Sequence, residues 1–375
     1  MIDQLEIDNF QQLFQNNLPL MDVRAPVEYS RGSFPGVLNA PLMTDNERHL
    51  VGRRFKESGQ LSAIELGRQL VSSTIKNQRI NDWLDFINQN PSGALYCFRG
   101  GLRSEITQQW IFDYSGITYP RVKGGYKAMR SYLIEESSRI TNSKNFIVIG
   151  GQTGCGKTLL LNKFRNNIDL EGLANHRGSA FGNNVSSQPT QIDFENSLAI
   201  ELIQKQKNRF LLIEDEGNNI GTIYLPERLK NKSLKSNIVV LTANLEERVK
   251  LSLRTYVTDM LDKYNSVDSE NGFENYANYW KNSLYKIQKR LGGARYKELS
   301  KVLNNAIQKH QKSNDLSEYV PLIESLLVDY YDPMYNYQIN KKKNRIIFQG
   351  NSSACLLYTS PSPRDVEESR MPSSA

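Results

Sequence analysis

Cysteine is scarce in this chain of 375 residues, which contains only Cys97, Cys155 and Cys355. Three cysteines so far apart form no disulfide framework, and none has the spacing of zinc ligands. The apolar runs, such as FIVIG and FLLIE, are much shorter than the roughly 20 residues that cross a membrane. The opening MIDQLEIDNF also lacks the basic and apolar regions of a signal peptide. We therefore expect a soluble, cytoplasmic protein of a reducing compartment, with no membrane partner.

No strong excess of one charge is present either. Lysine and arginine total 47 and aspartate and glutamate 40, a formal charge of +7. This is a mild bias toward polyanionic partners, and by itself it does not indicate nucleic acid. The length exceeds that of a typical single hydrophobic core, which predicts two domains.

The chain alternates strand and helix patterns, which predicts an α/β fold. Strands are expected in LPLMDVR, GVLNAPL and GALYCF, then in FIVIG, RFLLIE and NIVVL. One long helix is expected over residues 62–89 and another in RSEITQQWIFDYSG. The predicted segments are an N-terminal domain at 1–135, a linker at 136–144, a phosphate-binding core at 145–245, a helical basic extension with a closing strand at 246–350, and a tail at 351–375. The serine- and proline-rich tail is expected to be disordered, and its composition also fits a foreign read-through.

The segment YCFRGGLRS, residues 96–104, places a cysteine between a predicted strand and a predicted helix. Gly100 and Gly101 allow the backbone to curl so that its N–H groups point inward, which makes an anion site. Arg99 and Arg103 add positive charge, and a thiol in such surroundings is expected to be a thiolate nucleophile. The alternative is a buried structural cysteine beside a turn.

The residues around this loop resemble the rhodanese family. The match includes D-V-R, E-Y and P-G-V-L-N upstream and G-G downstream, and it is carried by Asp22, Arg24, Glu28, Gly32, Pro35, Gly36, Asn39, Cys97, Gly124 and Gly125. Most of the upstream matches are expected to be structural. The resemblance implies that Cys97 carries sulfur or selenium. The loop departs from the sulfurtransferases of that family, which usually have four residues between the cysteine and the arginine. Here five residues separate Cys97 from Arg103, and Ser104 follows. This C-x5-R-S spacing also resembles cysteine phosphatases, so the loop leaves phosphatase and chalcogen-transfer chemistry open.

A second loop, GQTGCGKT at residues 151–158, matches the phosphate-binding pattern G-x4-G-K-[ST] between a strand and a helix. Its backbone is expected to hold phosphates, Lys157 to reach the terminal ones and Thr158 to ligate Mg²⁺. The loop indicates a diphosphate or a triphosphate without deciding between them, and the positions expected to bind it are Gly151, Gly154, Gly156, Lys157 and Thr158. Glu214 and Asp215, at the end of a later strand, are the expected second-motif acids; the alternative is a polar strand end. The segment GSAFG, residues 178–182, is interpreted as a lid, a second anion loop or a turn.

The order of the two loops, together with DLEGLANHRGSAFG, EDEGNNIG and YYDPMYNYQ, resembles the bacterial tRNA 2-selenouridine synthase family over about residues 18–350. That resemblance implies an N-terminal rhodanese-like domain, a P-loop NTPase-like parallel-sheet domain and a transferase acting on tRNA. The implied reaction replaces sulfur by selenium in the 2-thiouridine of the wobble position, with selenophosphate as donor. It passes through S-geranyl-2-thiouridine made from geranyl diphosphate. No tightly bound cofactor is implied, although Mg²⁺ has a place at Thr158, and a selenophosphate-supplying enzyme would be a partner.

The resemblance also implies roles for named residues. Cys97 would be the nucleophile, with Arg99 and Arg103 holding the selenium donor, and selenium carried on Cys97 as a perselenide is a hypothesis. The tRNA would meet the basic stretch YWKNSLYKIQKRLGGARYK, whose cations include Lys286, Lys289, Arg290, Arg295 and Lys297, and the cluster KKKNR at 341–345. The alternative for a basic helix is a solvated face. An apolar groove for the geranyl chain has no visible sequence signal.

Two rivals remain at this stage. One is a rhodanese-fold cysteine phosphatase with a nucleotide-binding domain, supported by the C-x5-R-S spacing. The other is a non-catalytic RNA-binding or regulatory protein, which the intact Cys97 and the complete phosphate loop oppose.

Overall fold

The computed structural model describes residues 5–359. Within these residues two compact units are present, one formed by residues 5–143 and 189–207, the other by 144–188 and 208–359. In chain order, the elements up to residue 143 are β1 (Glu6–Ile7), α1 (Phe10–Gln15), β2 (Leu20–Asp22), α2 (Pro26–Tyr29), β3 (Leu38–Asn39), α3 (Asp45–Leu70), α4 (Ser73–Gln89), β4 (Ala94–Tyr96), α5 (Leu102–Ser115), β5 (Arg121–Val122) and α6 (Gly125–Ser143).

The elements that follow start with the phosphate-loop strand. They are β6 (Asn145–Gly151), α7 (Lys157–Leu161), β7 (Asn167–Ile168), α8 (Leu170–Leu173), α9 (Gln191–Lys205), β8 (Phe210–Glu214), β9 (Asn219–Ile220), β10 (Ile223–Tyr224), α10 (Glu227–Ser233), β11 (Asn237–Leu241), α11 (Leu245–Leu253), a π-helical turn at Arg254–Thr258, α12 (Asp259–Val267), α13 (Gly272–Lys286), α14 (Gln288–Leu291), α15 (Gly293–Ser313), α16 (Tyr319–Ser325), a π-helical turn at Leu326–Tyr331, α17 (Asp332–Asn340), a 3-10 turn at Lys343–Arg345, β12 (Ile346–Gly350) and α18 (Ser352–Thr359).

The N-terminal unit is built on a five-stranded parallel sheet with the order β1-β5-β4-β2-β3. Its central strands β2 and β4 are buried along their whole length, as the continuous apolar patterns predict. Helix α9 belongs to this unit although it lies later in the chain. The backbone N–H of Ser33 donates to Asp193 at 2.6 Å, and Arg130 donates to Asn196 at 2.8 Å.

The second unit contains another five-stranded parallel sheet, ordered β12-β11-β6-β8-β7. Beside it, a helical cluster packs around buried aromatic side chains such as Tyr276, Trp280 and Tyr319. The prediction of an α/β protein with parallel sheets is confirmed, as is the closing strand, which is β12. Among the helices within residues 5–359, none combines the length and apolar character needed to cross a membrane.

Three predicted elements differ in the structure. The long helix expected over 62–89 is divided at Val71 and Ser72, and its first part begins earlier, after Thr44. Thr44 caps that helix reciprocally with Glu47, a pairing readable in the sequence TDNE. The stretch 136–143, predicted as part of a linker, instead continues α6 because Ile140 and Thr141 are buried.

The tail predicted as disordered from residue 351 begins with helix α18. The side chain of Asn351 accepts a hydrogen bond from the backbone of Ala354 at 3.0 Å, and Cys355 is fully buried. The hydrogen bond at Asn351 and the burial of Cys355 explain why a serine-rich segment becomes helical there. Residues 360–375 of the predicted tail lie outside the described residues.

Candidate active sites

The Cys97 loop joins the end of β4 to the start of α5, with Gly101 as the residue before the helix. Cys97 is 3% exposed, and its sulfur lies 3.3 Å from the hydroxyl oxygen of Ser104. The same hydroxyl donates to the carbonyl of Gly101 at 2.8 Å. The cysteine therefore sits under the first turn of α5, in contact with the serine of the C-x5-R-S pattern.

Glycines from two separate segments let the loop close tightly. A Cβ atom on Gly100, at φ +66°, would lie 2.5 Å from the nitrogen of Gly124, and one on Gly125 would lie 2.2 Å from the carbonyl oxygen of Cys97. The N–H of Tyr126 donates to that carbonyl at 2.9 Å. Among the described residues, no backbone acceptor is recorded for the N–H groups of residues 98–102. This is the arrangement in which loop N–H groups bind an anion.

Arg103 does not point freely into the loop. It forms a bidentate pair with Glu28, with N–O distances of 2.5 and 3.1 Å, and Arg48 approaches the same carboxylate at 3.0 Å. Burial opposes ionisation of Glu28, but the two guanidinium groups outweigh it and lower the pKa of Glu28 below its usual value. Arg99 is exposed. The predicted cations therefore have different positions: Arg103 is fixed and Arg99 is open to solvent.

Two residues of the sequence pattern upstream of the Cys97 loop, Asp22 and Arg24, form a buried ion pair. Arg24 donates to Asp22 at 2.6 to 3.0 Å and to the carbonyl of Gly32 at 2.9 Å. Its guanidinium carbon lies 3.8 Å from the centre of the Tyr126 ring. Asp22 and Arg24 are both almost fully buried. Their contacts connect the end of β2 to Gly32 and to Tyr126, the residue that follows the closing glycines of the Cys97 loop.

The phosphate loop lies where β6 ends, in the second unit. Because β6 and β8 are parallel neighbours, Ile149 is in register with Glu214, and the two strand ends meet at one edge of the sheet. Lys157 donates to the carbonyl of Gly151 at 3.0 Å. Burial alone would lower the pKa of Lys157, but Cys155, Glu171 and Glu216 nearby raise it above the usual value, which keeps the amine positively charged.

An arginine that the sequence did not single out supports this loop. Arg248, on α11, is 3% exposed and donates to the carbonyl of Thr153 at 2.9 Å. It also forms a bidentate pair with Asp332 at 2.6 and 2.9 Å. A Cβ atom on Gly154, at φ +81°, would lie 3.0 Å from the backbone oxygen of Arg248. Asp332 lies in the sequence motif YYDPMYNYQ, which was the sequence feature that could have pointed to this contact.

Three carboxylates gather beside the loop. The hydroxyl oxygen of Thr158 lies 3.0 Å from Glu214 and 3.2 Å from Glu171, and one oxygen each from Glu171, Glu214 and Glu216 lies within 4.8 Å of the others. Burial raises the pKa of Glu214 to about 8, and Glu171 adds to the shift. Burial and the neighbouring carboxylates raise the pKa of Glu216 as well. Such a cluster in contact with a threonine hydroxyl is a suitable cation site.

Only one of the two expected second-motif acids joins this cluster. Glu214 does, whereas Asp215 accepts from Lys342 at 2.6 and 2.7 Å. Sequence reasoning missed Glu171 and Glu216, although both lie in quoted segments, DLEG and EDEG. A Cβ atom on Gly178, in the GSAFG segment, would lie 2.9 Å from an oxygen of each. That segment therefore closes against carboxylates, which disfavours a second anion loop there.

Around the phosphate loop lies a cleft of about 720 Å³. Aromatic and thioether side chains also line it, which are Tyr256, Tyr330, Tyr331, Met334 and Tyr335. The cleft thus combines a cationic loop, an acidic cluster and several aromatic side chains.

The second unit also matches a known protein family. Residues 144–364 match the family model described as the tRNA 2-selenouridine synthase AAA domain. The chain is 48% identical to a tRNA 2-selenouridine synthase of Marinobacter nauticus over 348 residues, which are 92% of this chain and 95% of that protein. Proteins of the same name from Sulfurovum sp. and Hahella chejuensis are each 46% identical, over 92% and 95% of this chain and 95% and 94% of their own lengths. The chain belongs to the tRNA 2-selenouridine synthase family.

In this member of the tRNA 2-selenouridine synthase family, the predicted basic surface is partly engaged by the protein itself. Lys286, Lys289, Arg290 and Lys297 are exposed. Arg295 pairs with Glu298 and Asp329. In the KKKNR cluster, Lys342 is bound to Asp215, and Arg345 donates to the carbonyls of Ser233 and Ser236 at 2.9 Å. Tyr285, 65% exposed, packs edge-on against Tyr296. The exposed remainder forms a smaller cationic surface than the sequence predicted.

Proposed function

We propose that this chain is a tRNA 2-selenouridine synthase. It would replace sulfur by selenium in wobble 2-thiouridine, using selenophosphate as the selenium donor and geranyl diphosphate to form an S-geranyl intermediate. One observation carries the proposal: a chain related over nearly its whole length to proteins of that name combines a buried cysteine in an anion loop with a complete phosphate loop. We propose that the Cys97 unit is rhodanese-like.

The phosphate loop would bind the diphosphate of the geranyl donor. In this step the 2-thiocarbonyl sulfur forms a bond to C1 of the geranyl group, the C1–O bond breaks, and diphosphate leaves. N3 of the nucleoside gives up its proton to water, which leaves a C2=N3 double bond. Lys157 and the loop N–H groups at Gly154 and Gly156 would stabilise the charge that develops on the leaving oxygen. Arg248 would act as a positioning residue, because it holds the loop carbonyl of Thr153 and touches no phosphate itself. Tyr330 and Met334, which line the same cleft, offer carbon surface that an isoprenyl chain can contact.

Magnesium fits the carboxylates beside this loop. Thr158, Glu171, Glu214 and Glu216 supply oxygen ligands. Burial, and then neighbouring carboxylates, raise the pKa of each of the three glutamates, even though Lys157 lies close to Glu171 and Glu216. A bound Mg²⁺ would neutralise the diphosphate oxygens. The ion would also favour the ionised carboxylates, so its binding should strengthen as pH rises.

Cys97 would act on selenophosphate. Selenium in selenophosphate is at the selenide level, so an S–Se bond to a thiolate would require an oxidant that neither reactant supplies. We therefore replace the perselenide hypothesis with attack of the Cys97 sulfur on phosphorus. The S–P bond forms, the P–Se bond breaks, and hydroselenide leaves. Water then attacks the S-phosphocysteine and releases inorganic phosphate.

Hydroselenide would complete the exchange at the nucleoside. It attacks C2, the C2–Se bond forms, and the geranylthiolate leaves with the bonding electrons and takes up a proton. A thioether leaves C2 more readily than a thiocarbonyl sulfur, which gives the geranyl group its purpose. The free N–H groups of the Cys97 loop and the exposed Arg99 suit the phosphoryl oxygens. Arg103 would have to exchange its pair with Glu28 to join them. The hydroxyl of Ser104, 3.3 Å from the sulfur, can turn to stabilise the thiolate when the S–P bond breaks.

The tRNA would bind through exposed cations and tyrosines, among them Lys286, Lys289 and Tyr285. Selenophosphate would have to come from an enzyme that forms it, which makes such an enzyme a partner.

The test uses nucleoside mass spectrometry on a 2-thiouridine anticodon stem-loop incubated with the full chain. Geranyl diphosphate alone should give S-geranyl-2-thiouridine, and geranyl diphosphate with selenophosphate should give 2-selenouridine. An unchanged nucleoside together with release of phosphate from generic phosphoesters would favour the cysteine phosphatase instead.

A further inference from the structure

A cavity of about 600 Å³ lies in the N-terminal unit, outside the residues assigned above except for Arg103. Its size is within the range of small-molecule pockets, about 300 to 1,000 Å³. The walls come from both halves of α3, from the start of α5 and from the loop before α3. Most of the lining surface is apolar, contributed by Val51, Phe55, Ala63, Ile64, Ile106 and Trp110.

Helix α3 leaves this cavity open. The helix bends at Gly59, where φ is +77°, and residues on both sides of the bend line the cavity. Of its residues, only Ala63 is buried. Phe55 on α3 is 53% exposed and Leu102 on α5 is 42% exposed, so apolar surface is uncovered at the cavity. Contiguous exposed apolar surface marks an interaction or ligand-binding site, whereas single exposed apolar residues do not.

The cavity and the Cys97 site lie on either side of the first turn of α5. Leu102 and Arg103 line the cavity, while Ser104, the next residue, contacts the Cys97 sulfur. Cys97 also belongs to the same apolar cluster as Val71 and Met43, which line the cavity, with Ile106 packed against it. A ligand in the cavity would therefore end beside the thiol.

The charges around the cavity further restrict the class of ligand that it can bind. The lining residues contain no carboxylate, and their cations are Arg48, Arg53, Lys56, Arg68 and Arg103. Arg48 and Arg103 share Glu28, and Arg53 lies 3.9 Å from Glu57. Within residues 5–359, no carboxylate pairs with Lys56 or Arg68. An apolar lining with a cationic rim suits an apolar chain attached to an anionic molecule.

The geometry points to this cavity as the binding site for the isoprenyl chain of the S-geranyl nucleoside in tRNA. This inference rests on the proposed function. The chain would occupy the apolar lining, the tRNA phosphates beside the nucleoside would meet the cationic rim, and C2 would be held at the Cys97 loop. When the C2–S bond breaks, the geranylthiol remains in the cavity and away from C2.

Geranyl diphosphate carries the same chain on a different anion, so the test must separate the two sources. Ile64 lines the cavity, and Leu61, one turn earlier on the same helix half, is 84% exposed and does not line it. Ile64→Trp therefore fills the cavity, and Leu61→Trp is the matched control. Binding is measured by fluorescence anisotropy with the full chain and a labelled stem-loop that carries S-geranyl- or S-methyl-2-thiouridine.

The wild type and Leu61→Trp should bind the S-geranyl stem-loop at least about tenfold more tightly than the S-methyl stem-loop, because the longer chain buries more apolar surface. Ile64→Trp should erase that preference and leave S-methyl binding unchanged. The S-methyl arm reports on folding, and Ile64→Ala, which weakens the lining without filling the cavity, should reduce the preference if the tryptophan variant does not fold.

Equal binding of both stem-loops by the wild type would overturn the inference, as would an unchanged preference in Ile64→Trp. If Ile64→Trp instead raises the KM for geranyl diphosphate and keeps the preference, the cavity serves the donor and the inference is wrong. Because the binding arms require no turnover, a failure of the proposed selenium transfer in the wild type is seen separately.

Discussion

Two glycine loops in this protein each follow a strand of a parallel sheet and lead into a helix, yet they are stabilised in different ways. The Cys97 loop is held by backbone contacts from Gly124, Gly125 and Tyr126, and it presents a thiol beside Ser104. The phosphate loop is held by a side chain, Arg248, and it faces three carboxylates. The first loop thus suits a covalent nucleophile and the second an anion that needs a cation, which is why two steps of one reaction can be assigned to them.

The largest effect on the second loop is expected from Lys157→Ala. Without the amine, charge on the leaving diphosphate loses its main stabilising contact, and geranylation should fall by about 100- to 1,000-fold. Quantifying S-geranyl-2-thiouridine by mass spectrometry checks this, with Lys163→Ala as the control, an exposed lysine just beyond α7. Geranylation within threefold of the wild type would remove the phosphate loop from the donor site.

A smaller effect is expected from Arg248→Lys, which keeps the charge but cannot hold Thr153 and Asp332 together. Misplacement of the loop should raise the KM for geranyl diphosphate and lower kcat, for a loss of about 10- to 100-fold in kcat/KM. Arg254→Lys, at an arginine whose side chain is 78% exposed, is the control. If both lysine variants behave like the wild type, the comparison between a side-chain-held and a backbone-held loop is wrong.

The carboxylate cluster should also make stability depend on pH. An unfolded glutamate titrates near pH 4.3, whereas burial and Glu171 raise the pKa of Glu214 to about 8. Between about pH 5 and 8 the folded chain therefore keeps a proton that the unfolded chain releases, so stability falls as pH rises through this window. At pH 8 the free energy of unfolding of Glu214→Gln should exceed that of the wild type by about 1 to 3 kcal/mol. The difference should shrink at pH 5.

Urea unfolding followed by circular dichroism without Mg²⁺ measures that difference, with the exposed Glu298→Gln as the control. A difference of the same size at both pH values would show that Glu214 does not hold a proton in the folded chain.

The sequence predicted the position of both loops but not the distant residues that hold them. Strand patterns and glycine spacing located both loops, because local backbone requirements act over a few residues. The sequence did not predict the partners that come from distant segments: Glu28 at Arg103, Arg248 and Asp332 at the phosphate loop, and Lys342 at Asp215. The assignment of α9 to the N-terminal unit and the cavity along α3 were invisible for the same reason, since both depend on tertiary packing.

The central claim, that the two loops perform separate steps, is tested most directly with Cys97→Ala and a stem-loop prepared with S-geranyl-2-thiouridine. Nucleoside mass spectrometry is run with selenophosphate on this substrate, and with geranyl diphosphate on the 2-thiouridine stem-loop. We predict that Cys97→Ala forms S-geranyl-2-thiouridine from the second substrate but no 2-selenouridine from the first, whereas Lys157→Ala shows the reverse pattern. Loss of both activities in a folded Cys97→Ala protein, or formation of 2-selenouridine by it, would contradict the account.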